Sequence, residues 1–246
     1  MSPAFKIKSE HNVEWLRVRP IAHRGLHNAS AGIYENTLSA TKAAVEHNYN
    51  IEVDLHISSD GVPMVFHDLT LDRLTRETGS VRERTAEKLQ HIRIMDTEDG
   101  IPTLETFLNL IAGRSAVVLE LKSHKDKPKD KGFVEAVSNV LKNYNGQAAI
   151  MSFGHHLLDD ARKIAPHLPL GLTAEMDDKA FDQHMGIATR CNVDFVSYQL
   201  KNLDTKFVRT FRKTGRPIIS WTVKSEADHT YSNKFADQPT FEGFRP

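Results

Sequence analysis

Short β-rich apolar runs alternate along this chain with longer segments of helical period, and that alternation limits the possible folds more than any other feature. The strand-like runs are Val18–Ala22, Ile51–Ile57, Met64–Phe66, Ala116–Leu121, Ala148–Ser152, Leu170–Thr173, Phe195–Tyr198 and Pro217–Val223. Helical readings lie between them, at Thr37–His47, Leu104–Ile111, Phe133–Leu141, His156–Ile164 and Thr205–Lys213. The first follows Asn36, a suitable N-cap. It sets Leu38 and Val45 seven apart and steps from Ala40 to Ala43 and Ala44, which are helical spacings. Strand–helix alternation of this kind gives a parallel sheet. With this many units in 246 residues, the expected architecture is an α/β fold closed into a single (β/α)₈ TIM-type barrel. A doubly wound open sheet is the alternative, but neither GxGxxG nor GxxxxGKS/T follows the first strand.

Two stretches break the rhythm. Residues 69–100 are polar and charged and read as a short insertion after the second strand unit. The Lys-rich stretch 125–131 reads as a solvated loop. No second-domain boundary is evident, so residues 1–246 are expected to form one domain with its core over about 18–246.

Composition narrows the function. Lys plus Arg (32) equals Asp plus Glu (32), so no net field attracts nucleic acid or an anionic membrane, and a small, locally recognised substrate is expected. The single cysteine, Cys191, excludes an internal disulfide and a zinc site of several thiolates. The first twenty residues hold no apolar run of signal-peptide length, and no later stretch is long enough to span a bilayer. A cytoplasmic protein without stable membrane insertion is the expectation; oligomeric state is not legible.

Barrel active sites gather at the C-terminal ends of strands. Ile21–Ala22 runs into His23-Arg24-Gly25, the run opened by Ile51 holds Glu52 and Asp54, Val65–Phe66 ends in His67-Asp68, and Val117–Leu119 ends in Glu120 with Lys122 two positions on. Residues two apart share a strand face, so Glu52 pairs with Asp54 and Glu120 with Lys122. Ser59-Asp60-Gly61 is a turn signal, and a hairpin about residues 60 and 61 would set position 54 roughly opposite position 67. Any one of these groups alone is more often structural than functional. Four strand ends with ionisable groups together describe a phosphate-and-metal site. The other histidines carry no such pattern, and Trp221 reads equally as core or as a wall for substrate.

With these residues the chain resembles the glycerophosphodiester phosphodiesterase family. The matching motifs are His23-Arg24-Gly25, Glu35-Asn36-Thr37, Glu52-Val53-Asp54, Asp60-Gly61, His67-Asp68, Leu71-Asp72-Arg73, Ile101-Pro102-Thr103-Leu104-Glu105, Leu119-Glu120-Leu121-Lys122, Ser152-Phe153 and Trp221-Thr222-Val223, in family order over roughly residues 20–223. The resemblance implies a TIM-type barrel with His23 and His67 as general acid and base. It implies a divalent cation, Mg²⁺ or Ca²⁺, on Glu52, Asp54 and Glu120. Arg24 and Lys122 would contact phosphoryl oxygens, while Glu35, Asn36 and Asp68 would order the site and Phe153 and Trp221 would wall the substrate. The implied reaction converts a glycerophosphodiester and water to glycerol 3-phosphate and an alcohol. A lipid-directed relative of the lysophospholipase D kind and a non-catalytic phosphoester-binding barrel are the rivals. Tyr34 replaces the usual proline, Lys224 replaces a common asparagine at the pocket rim, and residues 236–244 lack the apolar strand that normally completes the barrel.

Overall fold

In the computed structural model, which describes residues 11–124 and 127–246, the strand from Asn50 to Ile57 alternates polar and apolar residues, yet all eight are buried. Ile51, Val53, Leu55 and Ile57 pack outward in the large core shared with the helices, while Glu52 and Asp54 face the barrel axis. Such a strand is covered on both faces, as in a closed parallel barrel.

The strands are β1 (Ile21–His23), β2 (Asn50–Ile57), β3 (Pro63–Val65), β4 (Val117–Leu121), β5 (Ala148–Ser152), β6 (Leu170–Ala174), β7 (Phe195–Gln199), β8 (Ile218–Val223) and β9 (Gln238–Phe241). All but β3 pair in parallel around a closed ring, in the order β1-β2-β4-β5-β6-β7-β8-β9, with β9 returning to β1. β3 runs antiparallel to β2 as a hairpin. The helices are α1 (Leu38–Glu46), α2 (Ala86–His91), α3 (Leu104–Ile111), α4 (Phe133–Leu141), α5 (His155–Ile164), α6 (Phe181–Arg190), α7 (Lys206–Arg212) and α8 (Glu226–Ser232). α3, α4 and α5 turn Phe107, Val137 and Leu157 onto the outer wall of the strands. This is the expected (β/α)₈ barrel.

Several details differ from the sequence reading. β9 does complete the barrel, although residues 236–244 offer no apolar run: Phe241 faces the outer core while Thr240 lines the central cavity. Val18 lies outside β1, 69% exposed in the turn before Pro20. The N-cap of α1 is Thr37, whose hydroxyl accepts from the Ala40 N–H at 3.1 Å, and Asn36 is left free for another role. In the hairpin Leu55 opposes Val65, so Asp54 faces Phe66 and His67 lies one residue further on. The shift follows from a three-residue turn in which Gly61 takes a left-handed φ of 82°. Of the supposed loop 125–131, residues 125–126 lie outside the described residues, but Lys127–Asp130 is a 3₁₀ turn with Asp130 buried.

The excursion at 69–100 has its own small core, in which Leu71, Leu74, Val81 and Leu89 pack on Met64 and Phe66. At the opposite end of the barrel, Trp15 and Leu16 join Ile21, Val118, Phe195 and Ile219 in an apolar plug. Gly171 leaves room there for the Phe195 ring, which a Cβ would meet at 2.3 Å. Apolar packing fills the floor, and the charged groups sit above it.

Candidate active site

The parallel register sets Glu120 of β4 directly opposite Asp54 of β2. Ligand oxygens of Glu52, Asp54 and Glu120 lie within 4.8 Å of one another, and all three side chains are buried. Burial raises the Glu52 carboxyl well above its ordinary value, and the neighbouring Asp54 and Glu120 charges add to the effect. Burial also raises Glu120, against the pull of Lys122. It pushes Asp54 upward too, but Lys122 and then Arg24 outweigh it and hold that carboxyl well below the usual range. Three hard oxygen donors with more negative charge than their neighbours neutralise suit a hard divalent cation.

Lys122 sits between two of these carboxylates, with Nζ 2.8 Å from Asp54 Oδ1 and 2.5 Å from Glu120 Oε1. Arg24 reaches Asp54 Oδ2 at 3.3 Å through Nε and donates to Glu35 Oε1 at 2.7 Å through Nη1. It is held by a tight turn: Arg24 and Gly25 have φ of 55° and 80°, and a Cβ on Gly25 would come within 2.9 Å of Ala40. Asn36, with φ 57°, clamps Asp54 from both sides. Its Nδ2 donates to Oδ2 at 3.0 Å and its Oδ1 accepts from the Asp54 N–H at 3.2 Å.

His67 follows β3, and its Nδ1 lies 2.7 Å from Asp68 Oδ1. Arg73, from the excursion, donates to Asp68 and also to Glu35. A chain of charges therefore runs from Asp54 through Arg24, Glu35, Arg73 and Asp68 to His67. His23 ends β1 with Nε2 3.9 Å from Glu52 Oε2 and Nδ1 2.5 Å from Glu242 Oε2. Burial lowers both imidazoles, opposed by the Glu242 hydrogen bond at His23 and by Asp54 at His67.

These groups meet in a cavity of about 140 Å³. His23, Arg24, Glu52, His67, Glu120 and Lys122 form its charged wall, and Phe153 and Trp221 its apolar one. The two aromatic rings meet edge to face at 5.5 Å, and Trp221 Nε1 donates to the Ser197 carbonyl. A larger groove of about 720 Å³ lies on the excursion, but exposed surface charges such as Arg76 and Asp96 line it and it lacks a buried carboxylate cluster. Chemistry rather than size selects the smaller cavity.

The model of the glycerophosphoryl diester phosphodiesterase family matches residues 23–238. The chain belongs to that family. Its relatives include the glycerophosphodiester phosphodiesterase of Caldanaerobacter subterraneus, 31% identical over 218 residues that cover 85% of this chain and 86% of that one. Glycerophosphodiester phosphodiesterase 1 of Rattus norvegicus is 33% identical over 254 residues, covering 87% and 74%. Among solved structures, an Oleispira antarctica phosphodiesterase superposes with a TM-score of 0.81 at 22% identity over 93% of this chain and 94% of that one. Membership makes the protein an enzyme, a phosphoric diester hydrolase with glycerophosphodiesters as its substrate class.

All the residues singled out in the sequence, from His23 to Trp221, come together in or around this one cavity. Some residues that contact the site did not stand out, Arg73 and Glu242 among them. Arg73 was legible only as part of a family motif, because its reach to Glu35 and Asp68 depends on how the excursion folds. Glu242 follows a strand too polar to notice. Its signal was the alternation of Gln238, Thr240 and Glu242 with Pro239 and Phe241, the same period-two pattern as in β2.

Proposed function

We propose that the chain hydrolyses small glycerophosphodiesters to glycerol 3-phosphate and an alcohol, with His23 and His67 moving the protons. The observation that carries this reading is the meeting of both imidazoles, the three buried carboxylates and two cationic side chains in one cavity. The Oleispira antarctica structure, which holds the product sn-glycerol-3-phosphate, supports a substrate of this class.

Glu52, Asp54 and Glu120 would hold the cation, and the all-oxygen donor set fits Mg²⁺ or Ca²⁺. When bound, such an ion supplies a Lewis acid for a non-bridging phosphoryl oxygen. Lys122 spends two of its three donors on Asp54 and Glu120, which leaves one for the phosphoryl group. Arg24 engages Glu35 through Nη1, which leaves Nη2 free to turn to the same group. One imidazole takes the proton of the attacking oxygen, either that of water, which gives glycerol 3-phosphate directly, or that of a neighbouring glycerol hydroxyl, which gives a cyclic phosphate that water then opens. The other gives a proton to the departing alcohol oxygen. Phe153 and Trp221 flank the alcohol half. A reducing, cytoplasmic setting belongs to this reading, with Cys191 free and buried; among the described residues no helix is long and apolar enough to cross a membrane.

The test is release of glycerol 3-phosphate from glycerophosphocholine and glycerophosphoethanolamine with Mg²⁺, with Ca²⁺ and with excess chelator. Metal-dependent release that falls by about 10²–10⁴-fold in His23→Ala and in His67→Ala is expected. A lipid-directed reading draws on the exposure of Phe153 and Met176, 39% and 53%. It would prevail if lysophosphatidylcholine were cleaved and the short diesters were not.

A further inference from the structure

Glu242 stands one residue beyond β9, tied to the end of β8 by its own N–H, which donates to the Val223 carbonyl at 3.0 Å. Its carboxylate is shared among three groups. Oε2 lies 2.5 Å from His23 Nδ1 and 3.6 Å from His27 Nε2, and Oε1 lies 2.7 Å from Lys224 Nζ. These contacts, the His23 hydrogen bond first among them, hold Glu242 far below the usual carboxylate range. An ionised carboxylate can only accept, so His23 carries a proton at Nδ1, and in the neutral ring Nε2 is then the bare nitrogen. Nε2 is also the atom that faces Glu52.

The arrangement at His67 is the same in kind. Asp68 receives Nδ1 of that ring and is itself gripped by Arg73. Each imidazole thus has a carboxylate behind it, and each carboxylate has a cation behind that. The excursion furnishes one such backing and the last strand of the barrel, with the residue after β8, furnishes the other.

We propose that Glu242 is the positioning residue for His23 and that Lys224 locks it in place, so that His23 is kept as the Nδ1–H tautomer with Nε2 turned to the substrate. The inference rests on the proposed proton transfer by His23. Lys224 takes the second carboxylate oxygen and stops the group from rotating away from the ring. Without that acceptor the imidazole, 14% exposed, has no other hydrogen-bond partner for Nδ1 among the described residues and can adopt either tautomer.

The decisive variant is Glu242→Gln, which keeps the size but has one accepting oxygen for two donors. Its kcat is expected to fall at least ~10²-fold with KM within about threefold of the wild type. Its affinity for Mg²⁺ or Ca²⁺, read by calorimetry, should be unchanged. Glu242→Asp should recover part of kcat, and His23→Ala/Glu242→Gln should be no slower than His23→Ala, because the two residues act as a unit. In ¹⁵N spectra of histidine-labelled protein, with His23 assigned by difference against His23→Gln, the wild type should show a protonated Nδ1 and a bare Nε2, and Glu242→Gln a mixture. An unchanged kcat, an unchanged His23 spectrum or additive losses in the double variant would overturn the proposal. Lost cation affinity would do so too, since it would make Glu242 a metal ligand. The spectra require no turnover, so failure of the wild type to release glycerol 3-phosphate would count against the proposed function alone.

Discussion

Arg73 forks onto the Asp68 carboxylate, with Nε at 2.6 Å and Nη2 at 3.0 Å, and the same guanidinium reaches Glu35. The excursion thereby fixes the carboxylate that stands behind His67. Arg73→Met should lower kcat by about 10–10²-fold, the scale of a misplaced catalytic group, and leave the fold intact. Steady-state kinetics beside a thermal melt checks both. The Asp68 carboxyl is held down at about 2, by the Arg73 hydrogen bonds first. A depressed carboxyl contributes stability that is complete above the unfolded value near 4 and disappears as the pH falls toward 2. Acid titration of the melting point should show that loss shrinking in Arg73→Met.

The buried acidic cluster gives a prediction that needs no activity assay. Mg²⁺ or Ca²⁺ should raise the melting temperature of the wild type, since a ligand that binds only the folded state stabilises it. In chelator, Glu52→Gln should melt at or above the wild type, by about 2–4 °C if the relieved repulsion amounts to about 1 kcal/mol. The same variant should lose most of the metal-dependent rise. Scanning calorimetry with and without chelator decides it, and a wild type indifferent to both ions would remove the metal site from the mechanism.

Much of this site was legible because barrel chemistry lies where apolar runs end. His23, Glu52, Asp54, His67, Glu120 and Lys122 could be read from strand ends alone, and the period-two rule placed both carboxylates of β2 on one face. The hairpin register came out one residue off, because a turn's pairing depends on which residue takes the left-handed conformation. Asn36 read as a helix cap, whereas Thr37 caps the helix and Asn36 clamps Asp54. β9 escaped notice because half of a four-residue strand faces a polar interior, which leaves too few apolar positions for a pattern. Asp130 was hidden in a lysine run whose composition suggests solvent, because its side-chain partners Arg82 and His156 are distant in sequence.

That aspartate carries a stability prediction. Asp130 accepts from Arg82, from the His124 backbone N–H at 2.8 Å and from His156 at 2.8 Å. The Arg82 side chain is only 7% exposed, and it also donates to the Lys122 carbonyl and to His56 Nδ1. Asp130→Ala strands that guanidinium and should cost about 3–5 kcal/mol. Urea denaturation measures it, and a loss under 1 kcal/mol would mean that water replaces the carboxylate.

Cys191 is 1% exposed, and burial first, with the Asp159 carboxylate that accepts its S–H, pushes the thiol up to about 11. A thiol that ionises so late offers almost no thiolate at neutral pH. Ellman's reagent at pH 8 should leave the native protein untouched over the time in which the guanidinium-unfolded chain reacts completely. Rapid native labelling would show that α6 opens readily.

The apolar plug built on Trp15 and Leu16 has a kinetic consequence. It fills the barrel at the end away from the chemistry, which leaves the C-terminal ends of the strands as the face that carries the charged cavity. On the proposed reaction, diester would enter and both products would leave at that face, where Phe153 and Trp221 line the cavity. Turnover would then be a matter of traffic as well as of bond breaking: a phosphate-bearing product still in the cavity would bar the next diester, and accumulated product would act as a competitive brake on the enzyme that made it.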